Sequence, residues 1–219
     1  MKLLILFISS LLVAQLSHGA DMWPFGEKKI TVEDQLSKVK ECGILMRSDA
    51  TLEDLFIWED RAAIESNPYK PLIEALASDI GREPYSPISN SLWMCDYERV
   101  EDHGAYVEII ERLELMTNRA LNLSNITDYV DIEEGKAWVL FDFNGKQIKW
   151  EAAVDDDWLD PYIIAKYDAL LKSSGSDTRI YSNHTDYGQV AFFAAFSSAE
   201  FQCYKELSPI KLELIENQT

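Results

Sequence analysis

The sequence predicts an α+β fold, with N-terminal helices packed beside an antiparallel sheet whose strands and helices run in the order ββαββα. Three observations lead there. Apolar residues recur at three- and four-residue spacing through the first half of the chain, alternation with period two sets in at Ala137, and Asn144-Gly145 divides the alternating stretch in two. Of the 219 residues, 47% are hydrophobic and 26% charged, an inventory that places the chain with folded globular domains rather than disordered ones.

The first nineteen residues stand apart from the fold. Met1 and Lys2 form a short positive region, Leu3 to Val13 is apolar apart from Ser9 and Ser10, and Ser17-His18-Gly19 puts small residues at −3 and −1 of a cleavage point after Gly19. That is the layout of a secretory signal peptide, and the apolar run is shorter than the roughly 20 residues a membrane span requires. Residues 20–30, with Trp23, Pro24, Phe25 and Gly26, read as a leader without periodicity. Residues 31–120 form a mainly helical part and 121–219 an α+β part. No Pro, Gly or Ser-rich linker separates them, so 31–219 is expected to be one compact unit.

Within that unit, Thr31 caps a helix from Val32 to Cys42, and Gly43 offers its left-handed stop. Thr51 opens a second helix with Leu52, Leu55, Phe56 and Ala63 inward. Asn67-Pro68 begins a third, carrying Leu72, Ile73, Leu76 and Ala77. The stretch from Ser78 to Ser91 holds Gly81, Pro84, Pro87 and Asn90 and reads as loop, followed by a short strand at Leu92 to Cys95. Tyr106, Ile109, Ile110, Leu113 and Met116 then mark a helix over Ala105 to Arg119.

Beyond it, Ala137, Val139, Phe141 and Phe143 alternate ahead of the Asn-Gly turn, and Ile148, Trp150, Ala152 and Val154 alternate after it. Both central residues of such a turn take positive φ, which Asn and Gly tolerate, so a hairpin is expected. Its first strand is apolar on both sides and is placed centrally. Asp160-Pro161 starts a helix with Ile163, Ile164, Tyr167, Leu170 and Leu171 that ends at Gly175. Strands follow near Thr178 to Ser182 and Gln189 to Phe196. Ser197 and Glu200 form a capping box for a last helix, and Ile210 to Ile215 alternates like an edge strand.

Export would permit a disulfide. With three cysteines, Cys42, Cys95 and Cys203, either all are small buried hydrophobes or one pair is bridged and one thiol remains. Export also gives meaning to the glycosylation sequons at Asn122, Asn125, Asn183 and Asn217, of which the first two suggest a surface connection.

Charge narrows the function classes. Twenty Lys and Arg against 38 Asp and Glu give a net charge of −18, and losing Lys2 with the signal peptide makes the chain more acidic by one further unit. Such a surface repels polyanions, which excludes nucleic acid as a partner. Motifs for hydrolase nucleophiles, dinucleotides and P-loops are missing from the sequence, no C-x-x-C or H-E-x-x-H occurs, and no cofactor is implied. Past the signal peptide, His103 and His184 each sit in a polar turn beside Asp, Asn or Gly and read as loop residues.

One acidic knot carries chemical potential: Asp155-Asp156-Asp157-Trp158-Leu159-Asp160. Carboxylates from Asp155, Asp157 and Asp160 at a strand-to-helix turn are candidate ligands for Ca²⁺ or Mg²⁺, although Leu159 and the lack of a following Gly break the calcium-loop pattern. The simpler account makes Asp160 the helix cap, the other acids partners of the helix dipole, and Trp158 a core residue. Asp131-Ile-Glu-Glu-Gly reads as a solvated turn, as do Glu98, Glu101 and Asp102. Six Trp and ten Tyr raise a sugar-stacking reading, with Trp138 the foremost candidate for exposure, then Tyr181, Tyr187 and Trp150.

The expectation is therefore a secreted protein, periplasmic or extracellular, with no stable membrane insertion once the signal is cleaved. It would be a non-enzymatic protein-interaction domain, inhibitor- or immunity-like, whose acidic face meets a basic protein. The alternatives are a metal-dependent hydrolase built on Asp155, Asp157 and Asp160, and a glycan-binding module.

Overall fold

A computed structural model describes residues 29–83, 85–184 and 187–215. The expected signal peptide, most of the leader and the sequon at Asn217 lie outside the described residues. Four helices come first, α1 (Val32–Glu41), α2 (Leu52–Leu55), α3 (Arg61–Ser66) and α4 (Lys70–Ala77), then β1 (Leu92–Asp96) and α5 (Ala105–Met116). After them run β2 (Ser124–Asp131), β3 (Lys136–Phe143), β4 (Lys146–Ala152), α6 (Pro161–Ser173), β5 (Arg179–Asn183), β6 (Val190–Phe196), α7 (Ser198–Leu207) and β7 (Glu213–Leu214). No helix among the described residues is long and apolar enough to cross a membrane.

The fold is mixed α+β, but the single sheet expected from the sequence is replaced by two separate antiparallel sheets, one ordered β1-β6-β5-β7 and the other β2-β3-β4. The physical reason lies in β6. It is apolar at every position, and its alternate side chains enter different cores: Ala191, Phe193 and Ala195 face one, Phe192, Ala194 and Phe196 the other. A strand buried on both faces makes its sheet a central layer rather than a half-exposed one. β1 shows the same division, with Leu92 on one side and Trp93 and Cys95 on the other.

On the face carrying Phe192, Ala194 and Phe196, the residues Ile73, Leu76, Val39 and Tyr204 from α4, α1 and α7 complete a core. On the face carrying Ala191, Phe193 and Ala195, the residues Ile109, Ile110 and Leu113 of α5 and Ile163, Ile164 and Tyr167 of α6 pack together with Val130, Val139 and Phe141 of the small sheet, the second core. The hairpin thus serves as an outer wall of the second core. It gains β2 as its third strand, and β5 and β6 pair elsewhere.

Several local features differ from expectation for identifiable reasons. β2 occupies the stretch read as a surface connection. It is a mostly polar edge strand whose register shifts between Ser124 and Thr127, where Asn125 takes φ 52°. The helix expected from Thr51 is split in two, because Asp60 caps α3 by accepting from the Ala63 N–H at 2.7 Å. The third helix begins at Lys70, preceded by Tyr69 at φ 74°. There the buried Gln35 amide accepts from the Tyr69 N–H at 2.8 Å and donates to the carbonyls of Ile30 and Ile64, each at 2.9 Å. The hairpin turn falls on Asn144 and Gly145, both at positive φ, 49° and 73°. Cys42 and Cys203 form a disulfide joining the end of α1 to α7 across 161 residues of sequence, and Cys95 is a buried thiol.

Candidate functional site

The acidic knot is built from the ends of β4 and α6. Asp160 is buried, 7% exposed, and its carboxylate is fully engaged at the turn. One oxygen accepts from the Tyr162 N–H at 2.9 Å as helix cap, and the other accepts from the Ala153 N–H at 2.8 Å, holding the strand end to the helix start. Asp155 and Asp156 are exposed and Asp157 is half-buried. Among the described residues, no group of three or more His, Cys, Asp or Glu is placed to hold a metal ion.

The turn binds a neighbouring segment of main chain. The Asp157 carbonyl accepts from the N–H groups of Arg99 and Val100 at 3.1 and 2.8 Å, and the Leu159 N–H donates to the Tyr97 carbonyl at 2.8 Å. Glu98 and Trp158 pair as an isolated antiparallel bridge. Two acidic segments read separately in the sequence, the one holding Glu98 and Glu101 and the one from Asp155 to Asp157, therefore meet along one rim. In its middle lies Trp158, expected in the core but 39% exposed, with its ring stacked on Tyr97 at 6.4 Å between centroids. The bridge with Glu98 explains the correction: a residue pairing at the surface of a strand-like contact leaves its side chain at the rim.

The aromatics proposed for sugar stacking are engaged by protein groups. Trp138 is half-buried, stacked on Tyr129 at 6.0 Å with the Lys149 ammonium 4.8 Å from its ring centroid. Tyr181, expected near the surface, is buried and stacked on Phe201 at 3.7 Å. Trp150 packs edge-on to Phe141, and the Tyr187 hydroxyl donates to Glu74 at 2.8 Å. His103 pairs with Asp102 at 2.7 Å. The His184 ring shares hydrogen bonds with the Tyr97 hydroxyl at 2.5 Å and the Ser182 hydroxyl at 2.9 Å. Of the sequons, Asn122 and Asn125 are exposed, while Asn183 is 6% exposed and donates to the Lys211 carbonyl at 2.8 Å.

A second site was not read from the sequence. Behind the rim a cleft of about 690 Å³ is lined by Arg47, Arg99 and Arg112, with Asp79 and Trp93. Arg112 lies on α5 within the apolar stripe, three residues after Ile109, and is 8% exposed. Its Nη2 donates to the carbonyls of Ser89, Asn90 and Leu92 at 2.9, 3.1 and 2.6 Å, while Nε and Nη1 are buried with no partner among the described residues. Arg99 lies 5.2 Å over the Trp93 ring, and its Nε is likewise buried without a partner among the described residues. Arg47 contacts the Ser86 hydroxyl and pairs with Asp49 at 2.6 Å.

Burial pushes the Arg112 guanidinium down to about 9, against the attraction of Asp79, so it is still charged at neutral pH. Burial pushes the Asp79 carboxyl up, with Arg112, Arg99 and Arg47 opposing. The one signal available in the sequence was a cation inside an apolar helical stripe, since a buried charge demands a partner.

Protein-family models, curated proteins and solved structures all hold no match to this chain.

Proposed function

We propose that this chain is a secreted, non-enzymatic protein-interaction domain that holds a basic protein partner against the acidic rim around Trp158. The observation that carries the reading is the main-chain contact between Tyr97–Val100 and Asp157–Leu159, which sets two acidic runs beside one exposed tryptophan. Interface cores favour an aromatic anchor, and surrounding charges steer the partner and fix its register. A carboxylate rim with Trp158 at its centre matches a partner that presents Lys or Arg around an apolar pocket.

The test is a titration with Lys- and Arg-rich peptides carrying a central apolar residue, followed by fluorescence anisotropy at low and high salt. The reading expects binding that weakens with salt, falls by about tenfold on Trp158→Ala, the scale of one interface anchor, and falls further on Asp155→Asn with Asp156→Asn. A charge-matched pair away from the rim, Glu53→Gln with Glu133→Gln, serves as control. Equal losses from rim and control pairs, or indifference to Trp158→Ala, would overturn the reading.

A further inference from the structure

We propose that the cleft lined by Arg47, Arg99 and Arg112 is a binding site for a small organic anion, whose oxyanion head, a carboxylate or a phosphate, is held by the guanidinium groups of Arg99 and Arg112. Anion binding here does not rest on the function proposed for the acidic rim, although the two share the segment that carries Arg99, and it needs no protein partner.

Arg112 carries the argument. A guanidinium that is 8% exposed is costly to bury, and the chain has gone to some length to hold it there, spending Nη2 on three loop carbonyls. Yet among the described residues Nε and Nη1 have no acceptor, and the Nε of Arg99, also buried, has none. Buried donors left without acceptors are destabilising, and nearly all such groups in folded proteins are satisfied by something. Three unpartnered nitrogens from two cations, Nε and Nη1 of Arg112 and Nε of Arg99, ask for an acceptor with several lone pairs and negative charge.

The carboxylates at hand do not supply it. Asp79 acts on the three arginines through space and makes no ion pair with them, and its carboxyl is pushed up by burial rather than held down by a guanidinium. Glu108 reaches the outer Nη2 of Arg99 at 3.4 Å, and both Glu108 and Glu111 are exposed at the mouth. The cleft sets three arginines against three carboxylates, Asp79, Glu108 and Glu111, so its lining is far less acidic than a chain of net charge −18 as a whole.

The shape limits the ligand class. About 690 Å³ exceeds what a bare ion needs and suits a small organic molecule. Trp93 forms part of the wall, and Leu115 and Tyr85 are exposed large hydrophobics lining the same cleft, so an apolar or aromatic body attached to the anionic head is accommodated.

The test uses the full chain at low ionic strength with three probes: inorganic phosphate, benzoate, and neutral benzamide as isostere of benzoate. Calorimetry measures affinity, and the Nε–H resonances of Arg99 and Arg112 report the contact directly. The expected result is saturable binding of phosphate or benzoate, shifts at both Nε–H signals, and no binding of benzamide. The tighter of the two anions identifies the head group. Arg99→Gln should weaken binding by about tenfold or more, the scale of one charge-assisted hydrogen bond. Arg112→Gln should do at least as much. Because it also releases three loop carbonyls and is at risk of misfolding, Arg99→Gln is the deciding variant. Failure of both anions to saturate at concentrations up to about 50 mM, equal binding of benzamide and benzoate, or binding that survives Arg99→Gln would overturn the proposal.

Discussion

The carbonyl of Asp157 accepts the backbone N–H of Arg99 at 3.1 Å, and this contact links the two faces of one short segment. Outward from the segment, Glu98 pairs with Trp158 on the acidic rim; inward, the Arg99 guanidinium lies over Trp93 in the arginine cleft. A turn that the sequence presents as a knot of carboxylates thus acts through its main chain. Its side chains line the surface, and its backbone positions a cation.

Asp160 is the first residue to test, because it serves both ends of that turn. Asp160→Ala removes the cap on Tyr162 and leaves the Ala153 N–H without its acceptor. A loss of about 1–3 kcal/mol in urea unfolding is expected, a cap plus one hydrogen bond. An effect smaller than about 0.5 kcal/mol, the range of ordinary surface changes, would show that the turn does not depend on it.

The Cys42–Cys203 disulfide closes a loop of 161 residues in sequence. Replacing both cysteines by Ala should lower stability by about 2–5 kcal/mol, through the added freedom of the unfolded chain. Thiol titration checks the pairing: the native protein should react at no site, since Cys95 is buried with its thiol pushed up to about 12 by burial, and the unfolded protein should show one thiol. One readily reactive thiol in the native state would contradict this.

Asp79 governs a pH dependence. Its folded pKa is raised above the ordinary 3.8 by burial, so the protonated form is favoured by folding. The corresponding stability is complete below 3.8 and is lost as pH rises through the raised folded value. Asp79→Asn should therefore be more stable than the natural protein at pH 7, with the gap closing in acid, and should bind an anion in the cleft more tightly at pH 7. Urea midpoints at both pH values check the sign. A destabilised variant at pH 7 would mean that Asp79 is a needed counter-charge to Arg112.

Local chemistry was legible where a few adjacent residues decide the outcome. The Asn144-Gly145 turn, the Asp160 cap and the reciprocal Ser197–Glu200 box each rest on contacts within a few residues. What escaped reading depends on partners far away in sequence. β1 pairs with β6 roughly a hundred residues later, so the division into two sheets has no local signal. The strand β2 was hidden by its polarity, since an edge strand of the outer sheet buries little. Trp158 looked like a core residue because only the approach of Glu98 reveals the surface there. Arg112 was passed over in the apolar pattern of its helix, and its role emerges only once the loop at Ser89 to Leu92 is folded against it.

The most direct measurement for the rim is amide hydrogen exchange with and without a basic peptide that binds. The account predicts that binding slows exchange at Tyr97 to Val100 and Asp155 to Trp158, and that Trp158→Ala removes this protection. Protection confined to other segments, or spread evenly over the acidic surface, would contradict it.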